Sequence, residues 1–154
     1  MVPLSRLLLA TLVVAALSTA ALANLGEEEE ESTNPEWLAG KEAVEAQNWK
    51  VAVEHLSKAA ADEPKNADIR NWLGLAERKL GNLDAAFAAY NEALKLNPRH
   101  RHAHEYIGEA YLVSGNVQKA EEHLAELQRL CTPIPCEEYK DLKRAVEAYK
   151  KGQK

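Results

Sequence analysis

The sequence repeats itself every 34 residues, and no other feature limits its fold as tightly. Gly40, Gly74 and Gly108 keep that step, as do Asn48, Asn82 and Asn116, and Ala52, Ala86 and Ala120. Pro64 and Pro98 keep it too, and so do Gly81 and Gly115. Three copies therefore occupy 33–66, 67–100 and 101–134. A period of this length marks one supersecondary unit that cannot bury its apolar face alone and must stack on its neighbours. Apolar residues recur at three and four within a copy, as in Leu83, Phe87, Tyr90 and Leu94 or Ile107 and Tyr111, which is the stripe of an amphipathic helix.

The punctuation predicts two helices per copy. Leu80 is followed by Gly81 and Asn82, a glycine suited to the left-handed end of one helix and an asparagine suited to cap the next. Gly115 and Asn116 repeat the device, whereas the first copy has Gln47 and Asn48 and lacks the glycine. Pro64 and Pro98 close the second helices, because proline cannot continue the hydrogen-bond ladder. Gly40, Gly74 and Gly108 fall inside helices, where a glycine costs about 1 kcal/mol relative to alanine. Close approach of the partner helix is the expected reason, with Ala52, Ala86 and Ala120 opposite them.

These residues resemble the tetratricopeptide repeat family over about Thr33 to Thr132. The middle copy carries the likeness best, through Leu73, Gly74, Gly81, Ala86, Tyr90, Ala93 and Pro98. The third keeps Ile107, Gly108, Tyr111, Gly115, Ala120 and Leu124 but has Leu127 where the family prefers alanine. The first is the most degraded, with Ala43 at a usual aromatic position. The resemblance implies an all-α fold, a right-handed superhelix of three helical hairpins. A further helix over 136–151, with Tyr139, Leu142, Ala145, Val146 and Tyr149 as its apolar stripe, is expected to cap the open end.

Residues 1–23 read as an export signal: Arg6 precedes an uncharged run from Leu7 to Ala23 that ends in Ala21-Leu22-Ala23. Cleavage after Ala23 is the expectation, leaving no membrane span, and an uncleaved anchor is the alternative. That places the protein in the periplasm or outside the cell. Residues 24–32 include Glu27 to Glu31, a run of like charges expected to form a disordered acidic spacer. The formal net charge of −5 argues against nucleic acid as a partner, since backbone binders need a surplus of Lys and Arg.

Export also bears on Cys131 and Cys136, the only two cysteines. A disulfide pinning the capping helix is the expectation in an oxidising compartment. A redox pair or metal ligands are the alternatives, but four residues separate the two, two of them proline, and no second cysteine pair exists for zinc. Arg99-His100-Arg101-His102-Ala103-His104 straddles the second repeat junction. His100 and His104 have a possible metal-ligand spacing with no third ligand in sight, and the His100, His102 and His104 cluster can also serve an anion or simply be solvated.

Beyond the leader the serines are Ser32, Ser57 and Ser114, none in a nucleophile setting, and no phosphate or dinucleotide loop occurs, so catalysis and cofactors are not expected. The resemblance implies a protein-interaction module whose first helices line a concave groove. Transferring the family's groove positions gives Asn34, Trp37 and Lys41; Asn71, Leu75, Arg78 and Lys79; and His102, Glu105 and Glu109. Lys41, Arg78 and Lys79 can pair with a carboxylate, and Trp37 and Leu75 can hold an apolar side chain, which suits a short mixed-polarity segment of an envelope protein. Family members that clamp a chaperone's C-terminal carboxylate use Lys, Asn and Arg where this chain has Trp37, Lys41, Trp72, His102 and Tyr106. That clamp is missing. A metal-binding, anion-binding or self-assembling structural role is the competing expectation.

Overall fold

The computed structural model describes residues 32–152. Its helices are α1 (Pro35–Glu45), α2 (Trp49–Asp62), α3 (Ala67–Leu80), α4 (Leu83–Leu96), α5 (Arg101–Val113), α6 (Val117–Leu130) and α7 (Glu137–Gly152). No strand occurs among the described residues, and no helix there is long and apolar enough to cross a membrane. The leader, its cleavage and the acidic run lie outside the described residues. Ser32, the last position of the expected spacer, already belongs to the fold, because its hydroxyl donates to the Glu63 carboxylate.

Each repeat is a helical hairpin, as the 34-residue period predicts. Gly81 and Gly115 turn the second and third hairpins at φ 87° and 81°. Gln47 makes the equivalent turn of the first at φ 55° and is the single non-glycine residue with positive φ among those described. The asparagines behave less uniformly than expected. Asn116 accepts from the Lys119 amide at 3.1 Å, but Asn48 and Asn82 make no side-chain cap. Asn82 instead donates to the Glu77 carboxylate at 2.8 Å, which ties it back to the preceding helix. The first helices are capped by residues that the repeat pattern did not single out, Asn66 on α3 and His100 on α5.

The helical glycines do mark close approach, but not to the alanines expected opposite them. A methyl group on Gly40 would lie 2.7 Å from Leu56, and one on Gly74 2.6 Å from the Tyr90 ring. Leu56 and Tyr90 sit one turn beyond Ala52 and Ala86, and the alanines fill the fully buried space beside them. At Gly108 the intruding side chain is Leu142 of α7, at 2.6 Å. The capping helix therefore takes the place that Leu124 would hold by repetition, and Leu124 is only partly buried.

Buried side chains form successive clusters along the stack. Trp37, Leu56 and Ile69 join α1, α2 and α3; Tyr90 and Ile107 join α4 to α5; Leu112, Leu127, Leu142 and Val146 join α5, α6 and α7. Each cluster joins only helices adjacent in the stack, so the stability of the stack is a chain of nearest-neighbour terms. The sulfurs of Cys131 and Cys136 are bonded, closing the loop between α6 and α7. On the chain-entropy account so short a loop contributes about 2 kcal/mol, enough to hold the last helix down.

A left-handed backbone costs a residue with a Cβ about 1–2 kcal/mol, part of which glycine returns as unfolded-state entropy. Gln47→Gly should therefore raise stability by about 0.5–1 kcal/mol in urea unfolding with no change in m. The reciprocal Gly81→Gln should lower it by a similar amount, and a neutral result for both would remove the strain at the first turn.

Candidate peptide-binding groove

Which helices face inward follows from who touches whom. Among the described residues α1 packs on α3, α3 on α5 and α5 on α7, whereas α2, α4 and α6 make no contact with one another. A stack crowded along one row of helices and open along the other curves with the crowded row inside. The inner face thus belongs to α1, α3 and α5. The 34-residue repeat places Trp37, Asn71 and Glu105 at one register on these helices, and Lys41, Leu75 and Glu109 one turn further along. Positions four apart share a helix face, so the two rows lie side by side.

Several expected groove residues are already engaged. The Asn34 side chain accepts from the amides of Glu36 at 2.8 Å and Trp37 at 3.3 Å, so it caps α1 rather than serving a ligand. Trp37 is 5% exposed and meets Trp72 edge-on at 5.7 Å, a packing role between helices. The Lys41 ammonium lies 5.4 Å above the Trp37 ring. Arg78 is not available for a partner's carboxylate: it pairs with Glu109 at 2.7 Å across α3 and α5, with its guanidinium 5.9 Å over Tyr106. Lys79 leans the other way and lies 5.9 Å over Trp49 of α2. Leu75 is partly buried against the first core cluster. His102 is exposed, and with Arg101 it faces the Glu138 carboxylate of α7 at 3.8 and 3.5 Å.

Polar groups on the same face are incompletely paired. Asn71 is 2% exposed and its Oδ1 accepts no hydrogen bond. The Nε of Arg78 donates none. Glu105 is 7% exposed and forms neither a hydrogen bond nor an ion pair with the described residues. Burial first, then the neighbouring Glu109, Asp141 and Glu138 carboxylates, push its carboxyl up to about 8 against the opposing pull of Arg78.

The histidine cluster separates into two structural devices. His100 Nδ1 accepts from the Ala103 amide at 3.2 Å, which leaves Nε2–H to donate to Asp68 at 2.9 Å. That bond holds the Asp68 carboxyl below its ordinary range. His104 Nε2–H donates to the Pro98 carbonyl at 3.0 Å, so its Nδ1 accepts from His123 Nδ1–H at 2.9 Å. Both nitrogens of His100 and of His104 are thus occupied, and the two do not form the metal pair their spacing allowed. No group of three His, Cys, Asp or Glu arranged for a metal occurs among the described residues. His123, 19 residues from His104, had no signal in the sequence, since its partner is fixed by the hairpin register of α5 on α6. Tyr111 stacks on its ring. Burial, and secondarily His104, pushes the His123 imidazole down to about 4.

The geometry is that of a curved helical-hairpin solenoid with an inner face of mixed polarity. Two tetratricopeptide repeat profiles match residues 38–98 and 77–130 and together span more than half of the chain. The chain belongs to the tetratricopeptide repeat family. Among solved structures it is similar to the type III secretion chaperone SycD of Yersinia enterocolitica in complex with a peptide of the translocator YopD. That match has 17% identity over 77% of this chain and 92% of that one, at a TM-score of 0.66. It is also similar to the TPR2B domain of yeast Sti1 in a complex with pHsp70, at 19% identity, 76% and 94% coverage and a TM-score of 0.69. Both show the fold alone. MamA AMB-1 is 30% identical over 62% of this chain, which spans 52% of that protein, with a TM-score of 0.58.

The His104–His123 pair sets an acid limit on stability. An unfolded histidine takes up its proton near 6.5 and the folded His123 only near 4, so between these values the unfolded chain binds more protons. The contribution of this group is complete above pH 6.5 and declines toward pH 4, by at most about 3 kcal/mol. His123→Asn keeps a donor for His104 without titrating. Thermal melts of the variant should lose distinctly less Tm than the parent between pH 7 and 4.5.

Proposed function

We propose that this protein is a non-catalytic interaction scaffold that receives a segment of a partner protein along the inner faces of α1, α3 and α5, and that it works in the bacterial cell envelope after export. The observation that carries the reading is the unpartnered polar row on that face. A buried acceptor without a donor costs about 1–3 kcal/mol, a loss that a bound segment would recover. Asn71 Oδ1 bears this cost in the isolated chain, and Glu105, at the same repeat position on α5, is buried with no ion-pair partner among the described residues. Leu75 beside them offers an apolar contact. The solved SycD and Sti1 structures are complexes with peptide or protein partners, and the same use of the shared fold is the simplest transfer.

Two features support the envelope. The leader has the charge, length and terminal small residues of a cleaved signal, and the bonded cysteines suit an oxidising compartment. A metal-centred role has less support, because His100 and His104 are spent on Asp68, Pro98 and His123.

Capture from an envelope extract of the native host should recover a partner with the parent chain and with Ala88→Arg, an exposed position on α4. Leu75→Arg, which puts a bulky cation onto the inner face, should lose it while keeping the helical spectrum. Equal recovery by all three would place the interface elsewhere. Terminal sequencing of the exported protein should begin at Asn24, and a first residue at Met1 would show that the leader is retained.

A further inference from the structure

We propose that the segment received by the inner face inserts a lysine or arginine side chain between α3, α5 and α7, where it pairs with the carboxylate of Glu105. The proposal rests on the groove reading above and names the chemistry of its occupant. It reverses the polarity expected from Lys41, Arg78 and Lys79.

All but one of the carboxylates around this junction are neutralised by a neighbour. Four carboxylates gather where α5 meets α7: Glu105, Glu109, Glu138 and Asp141. Glu109 is taken by Arg78 at 2.7 Å. Glu138 faces Arg101 and His102 at 3.5 and 3.8 Å, and Asp141 pairs with Arg144 of its own helix. Glu105 alone has no donor, although at 7% exposed it is as buried as Glu138, which has two. Once ionised, Glu105 only accepts, and so does the orphaned Asn71 Oδ1 at the same repeat position on the adjacent α3. Two acceptors of this kind, one of them acidic, are matched by a group with several donors and a positive charge. An ammonium brings three donors and a guanidinium five. A metal ion is the poorer match, since no set of three ligands is arranged for one among the described residues.

Binding then moves a proton. In the free chain the acid at Glu105 is held near 8, so at neutral pH it keeps its proton. Entry of a cation favours the ionised form, and the proton leaves to solvent. Affinity should rise between pH 6 and 8.5. The groups facing Glu105 are Arg78 from α3, Tyr106 and Glu109 from α5, and Glu138 and Asp141 from α7, with His102 beside Glu138. The isosteric Glu105→Gln separates its proton from theirs.

The test is selection of a random dodecapeptide display library on the purified protein, followed by titration of the enriched peptides. They should share a Lys or Arg. Replacing it with norleucine, or making Glu105→Gln in the protein, should each weaken binding about tenfold or more, and the two together little further. Glu105→Gln should also raise Tm above pH 8, because the folded acid resists ionisation that the unfolded chain accepts from pH 4.5 upward. Peptides that are lost on Leu75→Arg but need no basic residue, or that bind Glu105→Gln as well as the parent, would overturn the proposal and leave the groove standing. No enrichment, or peptides indifferent to Leu75→Arg, would overturn both.

Discussion

Everything in this stack hangs on large side chains pressed onto helix backbone where a Cβ is missing. Tyr90 covers Gly74, Leu56 covers Gly40 and Leu142 covers Gly108, each so near that even a methyl group would force the helices apart. Interiors are packed at near-crystalline density, so such a contact acts as a distance constraint between two axes. Once the hairpin is that tight, Ala52, Ala86 and Ala120 can be wholly buried. The about 1 kcal/mol that each helical glycine costs is offset by burial of a leucine or tyrosine, which contributes about 1.5–3 kcal/mol. The curvature of the stack follows from these spacings, and the crowded inner face follows from the curvature.

Crowding explains why the inner face is polar yet sheltered. Trp37, Asn71 and Glu105 occupy one register, and all three are buried. Elsewhere the chain obeys the rule that buried polar groups find partners. Asn66 caps α3, His100 joins α5 to α3, and His104 and His123 satisfy each other. The exceptions among the described residues are Arg70 Nε, Asn71 Oδ1 and Arg78 Nε on α3 and the Tyr90 hydroxyl on α4. Natural proteins tend to break local rules where they bind something, and of these breaks Asn71 Oδ1 falls in the register shared with Trp37 and Glu105.

Local signals were the legible ones. The 34-residue step, the glycine turns and the closing prolines are all decided within a few residues, and the hairpins follow from them. Gln47 shows the strength of that context, since it adopts a left-handed turn without being glycine. What the sequence hid depends on registers between helices. Arg78 looked available because Glu109 lies 31 residues further on and meets it only when α3 packs against α5. Asn82 looked like a cap because its competitor, Glu77, is on the helix just ended. Leu142 could not be assigned to Gly108 by repetition, because α7 has no second helix and docks on α5 in its own way.

That docking gives the last helix two roles that cannot be separated. Leu142 and Val146 close the core, while Glu138 and Asp141, on the same helix, add the negative field that discourages ionisation of Glu105. Beside packing, α7 brings negative charge to the inner face near Glu105, which has no ion-pair partner among the described residues. The bond between Cys131 and Cys136 ties down the chain entering this helix, so it steadies the acidic wall as well as the cap. Loosening α7 would expose apolar surface and, in the same motion, let Glu105 ionise. Stability at this end and the protonation of Glu105 are therefore set by the same few side chains.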